Sequence, residues 1–156
     1  MLRYKIIVQY DGTAFYGWQT QKSERTIQGE LELALKKIND SRNVRVHGSG
    51  RTDTGVHAIG QVAHFDLKTC LDTFQLKDAL NGNLPPDIRI MKCNEVSKDF
   101  HARFSAIRRH YNYRIRTDGF ILDKNYTWNV DSIDKKILND VATLLIGEND
   151  FTSFSK

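Results

Sequence analysis

Tyr4-Lys5-Ile6-Ile7-Val8-Gln9-Tyr10 alternates with a period of two and halts at Asp11-Gly12. Tyr4, Ile6, Val8 and Tyr10 point one way and Lys5, Ile7 and Gln9 the other, so the stretch reads as a strand closed by a turn. Downstream, Ile27, Leu31, Ala34, Leu35 and Ile38 trace one helical face behind the N-cap candidate Thr26, which predicts a helix over 26–39. Val44 and Val46 alternate with Arg45 and His47. After a glycine-rich interval, Val62, His64 and Asp66 alternate with Ala63, Phe65 and Leu67, giving two more strands. Residues 73–82 predict a shorter helix with Leu76, Ala79 and Leu80 inward and Gly82 near its end, and Ile88 to Val96 reads as a fourth strand. The order is β-α-β-β-α-β.

That order predicts an α+β, ferredoxin-like or RRM-like unit: a four-stranded antiparallel sheet with two helices on one face and the opposite face free. A free face is a platform for RNA or for a second domain. Beyond it the pattern restarts. Tyr111, Tyr113 and Ile115 alternate with polar residues, as do Tyr126, Trp128 and Val130. A helix over 133–146 follows, with Ile137, Val141, Leu144 and Leu145 on one face, Asp131 or Ser132 at its start and Gly147 at its stop. The expected division is residues 1–105 as the first domain and 106–156 as part of a second, similar one. With no further strands to cover it, the last helix is expected to expose its apolar face.

Hydrophobic residues make up 40% of the 156 positions and charged ones 27%, which excludes a disordered, collagen-like or coiled-coil chain. Twenty-three Lys and Arg against 19 Asp and Glu leave a net charge of only +4, so any polyanion-binding surface must come from clustering. Cys70 and Cys93 lack the paired spacing of a zinc knuckle or redox motif and are too few for a disulfide scaffold. No run approaches the roughly 18 apolar residues of a membrane span. A reduced, soluble, cytoplasmic protein is expected.

The most unusual stretch is His47-Gly48-Ser49-Gly50-Arg51-Thr52-Asp53-Thr54-Gly55-Val56-His57-Ala58, between two strands. Its glycines permit a loop that presents an arginine, an aspartate and histidines. Two readings stand side by side. Asp53 caps a turn in an ordinary glycine-rich connection, as Asx turns do; or it is a nucleophile or base kept ionised by Arg51 two residues away. A phosphate-binding loop is discounted, because no strand-to-helix context follows. His47, His57 and His64 have no metal-ligand spacing, so no metal site is expected. Trp18 reads as core filling.

Gly50-Arg51-Thr52-Asp53-Thr54-Gly55-Val56-His57-Ala58 resembles the active-site signature of the tRNA pseudouridine synthase A family. Other stretches match in the same order: Tyr10-Asp11-Gly12-Thr13 with Phe15 and Gly17-Trp18-Gln19; Thr26-Ile27-Gln28; Ala79-Leu80-Asn81 leading to Leu84-Pro85; Phe100-His101-Ala102-Arg103-Phe104-Ser105-Ala106; Tyr111-Asn112-Tyr113; and Gly147-Glu148-Asn149-Asp150-Phe151-Thr152-Ser153-Phe154. The resemblance spans essentially the whole chain. It implies an isomerase that converts uridine to pseudouridine at positions 38 to 40 of the tRNA anticodon stem-loop, with no cofactor and no metal.

On the same resemblance Asp53 is the catalytic aspartate and Tyr111 stacks on the target uracil, with Arg51, Thr52 and His57 on the substrate side. Lys22, Arg25, Arg103, Arg108 and Arg109 are candidate phosphate contacts, since tRNA binding is largely backbone neutralisation. The family often has two arginines immediately before this tyrosine, whereas this chain has Arg108-Arg109-His110. Family members form homodimers, and their chains continue beyond the point that Lys156 reaches, supplying a basic partner for the catalytic aspartate. The chain is therefore expected to be a truncated portion, with a catalytically incomplete tRNA-binding fragment as the alternative function.

Overall fold

In a computed structural model, which describes residues 1–154, the chain forms two compact units, Met1–His110 and Tyr111–Lys156. The first holds β1 (Leu2–Tyr10), α1 (Ile27–Ile38), β2 (His47–Gly48), β3 (Ala58–Leu67), α2 (Thr73–Asn83) and β4 (Ile88–Val96). The sheet runs β2-β3-β1-β4 with every pairing antiparallel. Each helix thus joins two strands separated by an antiparallel neighbour, the split βαβ form of a ferredoxin-like fold.

The period-two face of β1 supplies the centre of the core: Tyr4, Ile6, Val8 and Tyr10 are at most 3% exposed. Phe65, Ile90, Ile27, Leu31, Leu35, Leu76 and Leu80 close over them from the other strands and both helices. Each such side chain contributes about 1.5–3 kcal/mol by leaving water. Thr26 caps α1 by accepting from the Gly29 N–H at 3.2 Å. Asp72 and Gln75 cap α2 reciprocally, the capping box.

Strand β2 is shorter than the alternation of Val44 and Val46 predicts. Helix α1 takes the backbone groups that a longer ladder would use. The Val46 N–H donates to Glu32 Oε1 at 3.0 Å, and its carbonyl accepts from Gln28 Nε2 at 3.1 Å. Only His47 and Gly48 remain to pair, with His64 and Ala63.

The sheet face away from the helices is only partly free, which narrows the sequence-based expectation. Residues 97–105 fold back over part of it as a strap. Arg3 Nη1 donates to the carbonyls of Lys98 at 2.6 Å and Phe100 at 2.9 Å while its other nitrogens grip Asp66 at 2.8 Å. The Ala102 N–H donates to Nδ1 of His64 at 3.1 Å, and both residues are 2% exposed. The rings of His47 and His101 lie 5.0 and 4.6 Å from that of His64. Burial, with the neighbouring His101 and His47 adding to it, pushes His64 down to about 4.

The second unit contains β5 (Ile115–Arg116), β6 (Trp128–Asn129), α3 (Lys135–Leu144) and a 3-10 turn at Thr152–Phe154. Tyr111 and Tyr113 lie before β5 in irregular backbone, not on the expected strand face. β5 and β6 pair in parallel, and the connection between them is gathered by Arg116, which ion-pairs with both Asp118 and Asp123. Asp134, not Asp131 or Ser132, caps α3, accepting from the N–H groups of Lys136 and Ile137 at 2.8 and 3.1 Å. All three are good capping types, and the backbone start at Lys135 decides among them. The apolar face of α3 is exposed as expected, from 50% at Val141 to 75% at Leu144. Among the described residues, no helix is long and apolar enough to cross a membrane.

Candidate active site

The glycine-rich stretch forms a loop between β2 and β3 whose backbone is tied down on both limbs. On the ascending limb, Ser49 N–H donates to the Val62 carbonyl at 2.8 Å and Gln61 Nε2 donates to the Gly50 carbonyl at 2.9 Å. The Ser49 hydroxyl donates to Gln61 Oε1 at 2.7 Å, and Arg109 Nη2 donates to the Ser49 carbonyl at 2.7 Å. At Thr52, the hydroxyl pairs with the Tyr10 hydroxyl at 2.8 Å, and the carbonyl accepts from the Trp18 N–H at 2.9 Å. Trp18 is core filling, 2% exposed, and at the same time one of the loop's supports.

On the descending limb, Gly55 N–H donates to the Phe15 carbonyl at 3.2 Å. His57 turns its ring inward, with Nδ1 3.0 Å from the Gly12 nitrogen and 3.1 Å from Asp11 Oδ1. Gly12 is required by the fit. A Cβ there would stand 2.0 Å from the Val56 carbonyl oxygen, far inside contact distance.

Asp53 sits between these anchored limbs. Its carbonyl closes a turn with Val56 N–H at 3.2 Å, but its exposed carboxylate takes no hydrogen bond or ion pair from any side chain among the described residues. The turn of the first reading exists, then, and is made by the backbone, leaving the carboxylate for something else. Arg51 does not pair with Asp53 as expected. Both are exposed, and such a pair gains only about 0–1 kcal/mol, too little to fix two solvated side chains. The arrangement is a carboxylate on a rigid backbone, open to an incoming ligand group.

Arg25, a candidate phosphate contact, has partners within the first unit. Its guanidinium grips Asp87 at 2.8 and 3.0 Å and Glu30 at 3.0 Å, and stacks 4.1 Å over Phe15. Lys22, Arg51, Arg103 and Arg108 are exposed and form no ion pair among the described residues. Arg109 is exposed but has one nitrogen on the loop. Tyr111 belongs to the second unit and is 68% exposed. The supports Tyr10 and Asp11 were visible in the sequence only as part of a shared motif, and Gln61 carried no signal beyond its strand. No group of three or more His, Cys, Asp or Glu among the described residues is arranged to hold a metal.

Comparison with known proteins places this geometry. The tRNA pseudouridine synthase family profile matches residues 6–105, the first unit almost entirely. A tRNA pseudouridine synthase A of Maridesulfovibrio salexigens is 46% identical over 157 aligned residues, covering 99% of this chain and 58% of that protein. The proteins of the same name from Maricaulis maris and Halalkalibacterium halodurans are 46% and 45% identical, again over 99% of this chain and over 63% and 60% of their own lengths. The chain thus spans about three-fifths of the relatives it matches. With the Asp53 loop, the split βαβ sheet and the sequence match all falling in the same residues, the chain belongs to the tRNA pseudouridine synthase family.

Proposed function

We propose that the protein isomerises uridine to pseudouridine in the anticodon stem-loop of tRNA, at positions 38 to 40, with Asp53 as the catalytic carboxylate. The observation that carries this reading is that carboxylate, solvent-facing and without an internal partner among the described residues, on a backbone anchored on both sides. In the reaction the bond from uracil N1 to ribose C1′ breaks, the base turns, and C5 joins C1′. A proton leaves C5 and one is taken up at N1, so atoms balance without an oxidant or reductant. Such chemistry needs a fixed carboxylate at the nucleoside, shielded from water once the substrate covers it.

Tyr111 stacks on the extruded base, an interaction worth about 1–3 kcal/mol. Arg51 approaches the substrate, while Thr52 and His57, expected on the substrate side, act instead by holding the loop through Tyr10 and the Asp11–Gly12 turn. Lys22, Arg103, Arg108 and Arg109 meet phosphates, and the assembly is a homodimer, which sedimentation of the purified chain tests directly. Tritium release from tRNA carrying C5-tritiated uridine tests the reaction. Release by the wild-type chain and none by Asp53→Ala is expected; equal release by both overturns the assignment of Asp53.

Lys22, Arg103 and Arg108, exposed and without an ion pair among the described residues, also suit a second reading in which these residues bind tRNA without turnover. Salt-dependent binding with no tritium release would select it.

A further inference from the structure

We propose that His57 is a positioning residue for the Asp53 loop, acting through Nδ1 on the turn that ends β1; this rests on the reading of Asp53 as the catalytic carboxylate. The Nδ1 atom lies 3.0 Å from a donor, the Gly12 N–H, and 3.1 Å from an acceptor, Asp11 Oδ1. A neutral ring with its proton on Nε2 accepts from Gly12. A ring protonated at Nδ1 donates to Asp11. In either state the descending limb stays fastened to β1.

The receiving turn is itself held in place. Asp11 Oδ1 accepts from the Thr13 N–H at 2.9 Å and the Thr13 hydroxyl at 2.6 Å, and the Asp11 N–H donates to the Asp87 carbonyl at 2.9 Å. Next to it, the Val56 carbonyl sits so close to Gly12 that no side chain fits between them. The imidazole and the backbone beside it therefore interlock with one rigid turn. His57 follows Asp53 by four residues, so slippage of this limb carries the carboxylate with it, and misplacement of a reacting group by about 1 Å costs on the order of 100-fold in rate.

The test compares His57→Asn, His57→Gln and His57→Ala in the full 156-residue chain. Asparagine places a polar atom near the Nδ1 position, whereas glutamine reaches toward that of Nε2. Hydrogen exchange of the Gly12 amide is expected to stay within a few-fold of wild type in H57N and to quicken by about tenfold or more in H57Q and H57A, with the amides of β1 unchanged. Nitrogen NMR of the neutral ring is expected to show the proton on Nε2. In tritium release, kcat should fall roughly 10- to 100-fold in H57Q and H57A at unchanged KM, with H57N within a few-fold of wild type. Equal Gly12 protection in all variants, or equal losses in H57N and H57Q with a raised KM, overturns the proposal. The exchange measurement needs no turnover, so it decides the role of His57 even where tritium release by Asp53→Ala shows the catalytic reading to be wrong.

Discussion

Gly17 and Thr52 approach so closely that a methyl group could not stand between them. A Cβ at position 17 would lie 2.6 Å from the Thr52 carbonyl oxygen, the same oxygen that accepts the Trp18 N–H at 2.9 Å. Gly17 also has φ +83, where an L side chain is strained. Gly17→Ala combines strain with a backbone clash and is expected to cost about 2–4 kcal/mol in urea unfolding. A change below about 1 kcal/mol would show that the loop relaxes away from residue 17 at little cost.

Acid should weaken the fold through His64. Folded His64 takes up its proton only at about 4, against an ordinary 6.5, while the unfolded chain protonates from 6.5 downward. The unfolded state therefore binds the extra proton in that window, so stability is full above 6.5 and falls as pH drops toward 4, by up to about 3 kcal/mol. His47, His101 and Arg3 face the same ring and oppose a positive charge on it, whereas Asp66 favours one; Asp66, held low chiefly by its hydrogen bond from Arg3, acts in a lower window. Unfolding midpoints measured across this range should flatten in His64→Asn, which keeps an acceptor for Ala102 without titrating.

The two basic residues of the β1–α1 connection should part company in RNA binding. Lys22→Ala is expected to reduce the slope of log affinity against log salt by about one, the signature of a lost phosphate contact. Arg25→Ala should leave that slope unchanged and lower stability, because Asp87 and Glu30 lose their partner. A reduced slope for Arg25→Ala would mean that the Asp87 pair opens to receive phosphate.

Apolar residues at helical spacing should respond in opposite ways in the two units. Leu31→Ala in α1 removes a fully buried side chain and is expected to cost about 2–5 kcal/mol. Ile137→Ser in α3, where the side chain is 60% exposed, should change stability by less than about 0.5 kcal/mol and reduce self-association in light scattering. A large loss at Ile137 would indicate that α3 is covered in solution.

What could be read from the sequence was whatever depended on near neighbours. The alternation from Tyr4 to Tyr10 and the spacing from Ile27 to Ile38 located β1 and α1 because periodicity reports a buried face directly. The truncation of β2 could not be read, since it depends on Glu32 reaching Val46 from another element. Arg25 looked like a free surface cation because its partner Asp87 lies 62 residues away. The same holds at the site. The loop announced itself through its glycines and Asp53, whereas the groups that fasten it, Tyr10, Asp11 and Gln61, sit on strands or turns where their residue types are ordinary.

The strap also redraws the limits of the smallest excisable piece of this protein. Topology alone would permit cutting after Val96, where the last strand of the sheet ends. Such a cut would strip Arg3 of two carbonyl acceptors and His64 of its N–H donor, and leave the buried side of a histidine cluster facing solvent. A shortened version that keeps these bonds must run at least through Ser105, nine residues past the sheet, so the extent of the unit is set by hydrogen bonds to β1 and β3 and not by the end of the last strand.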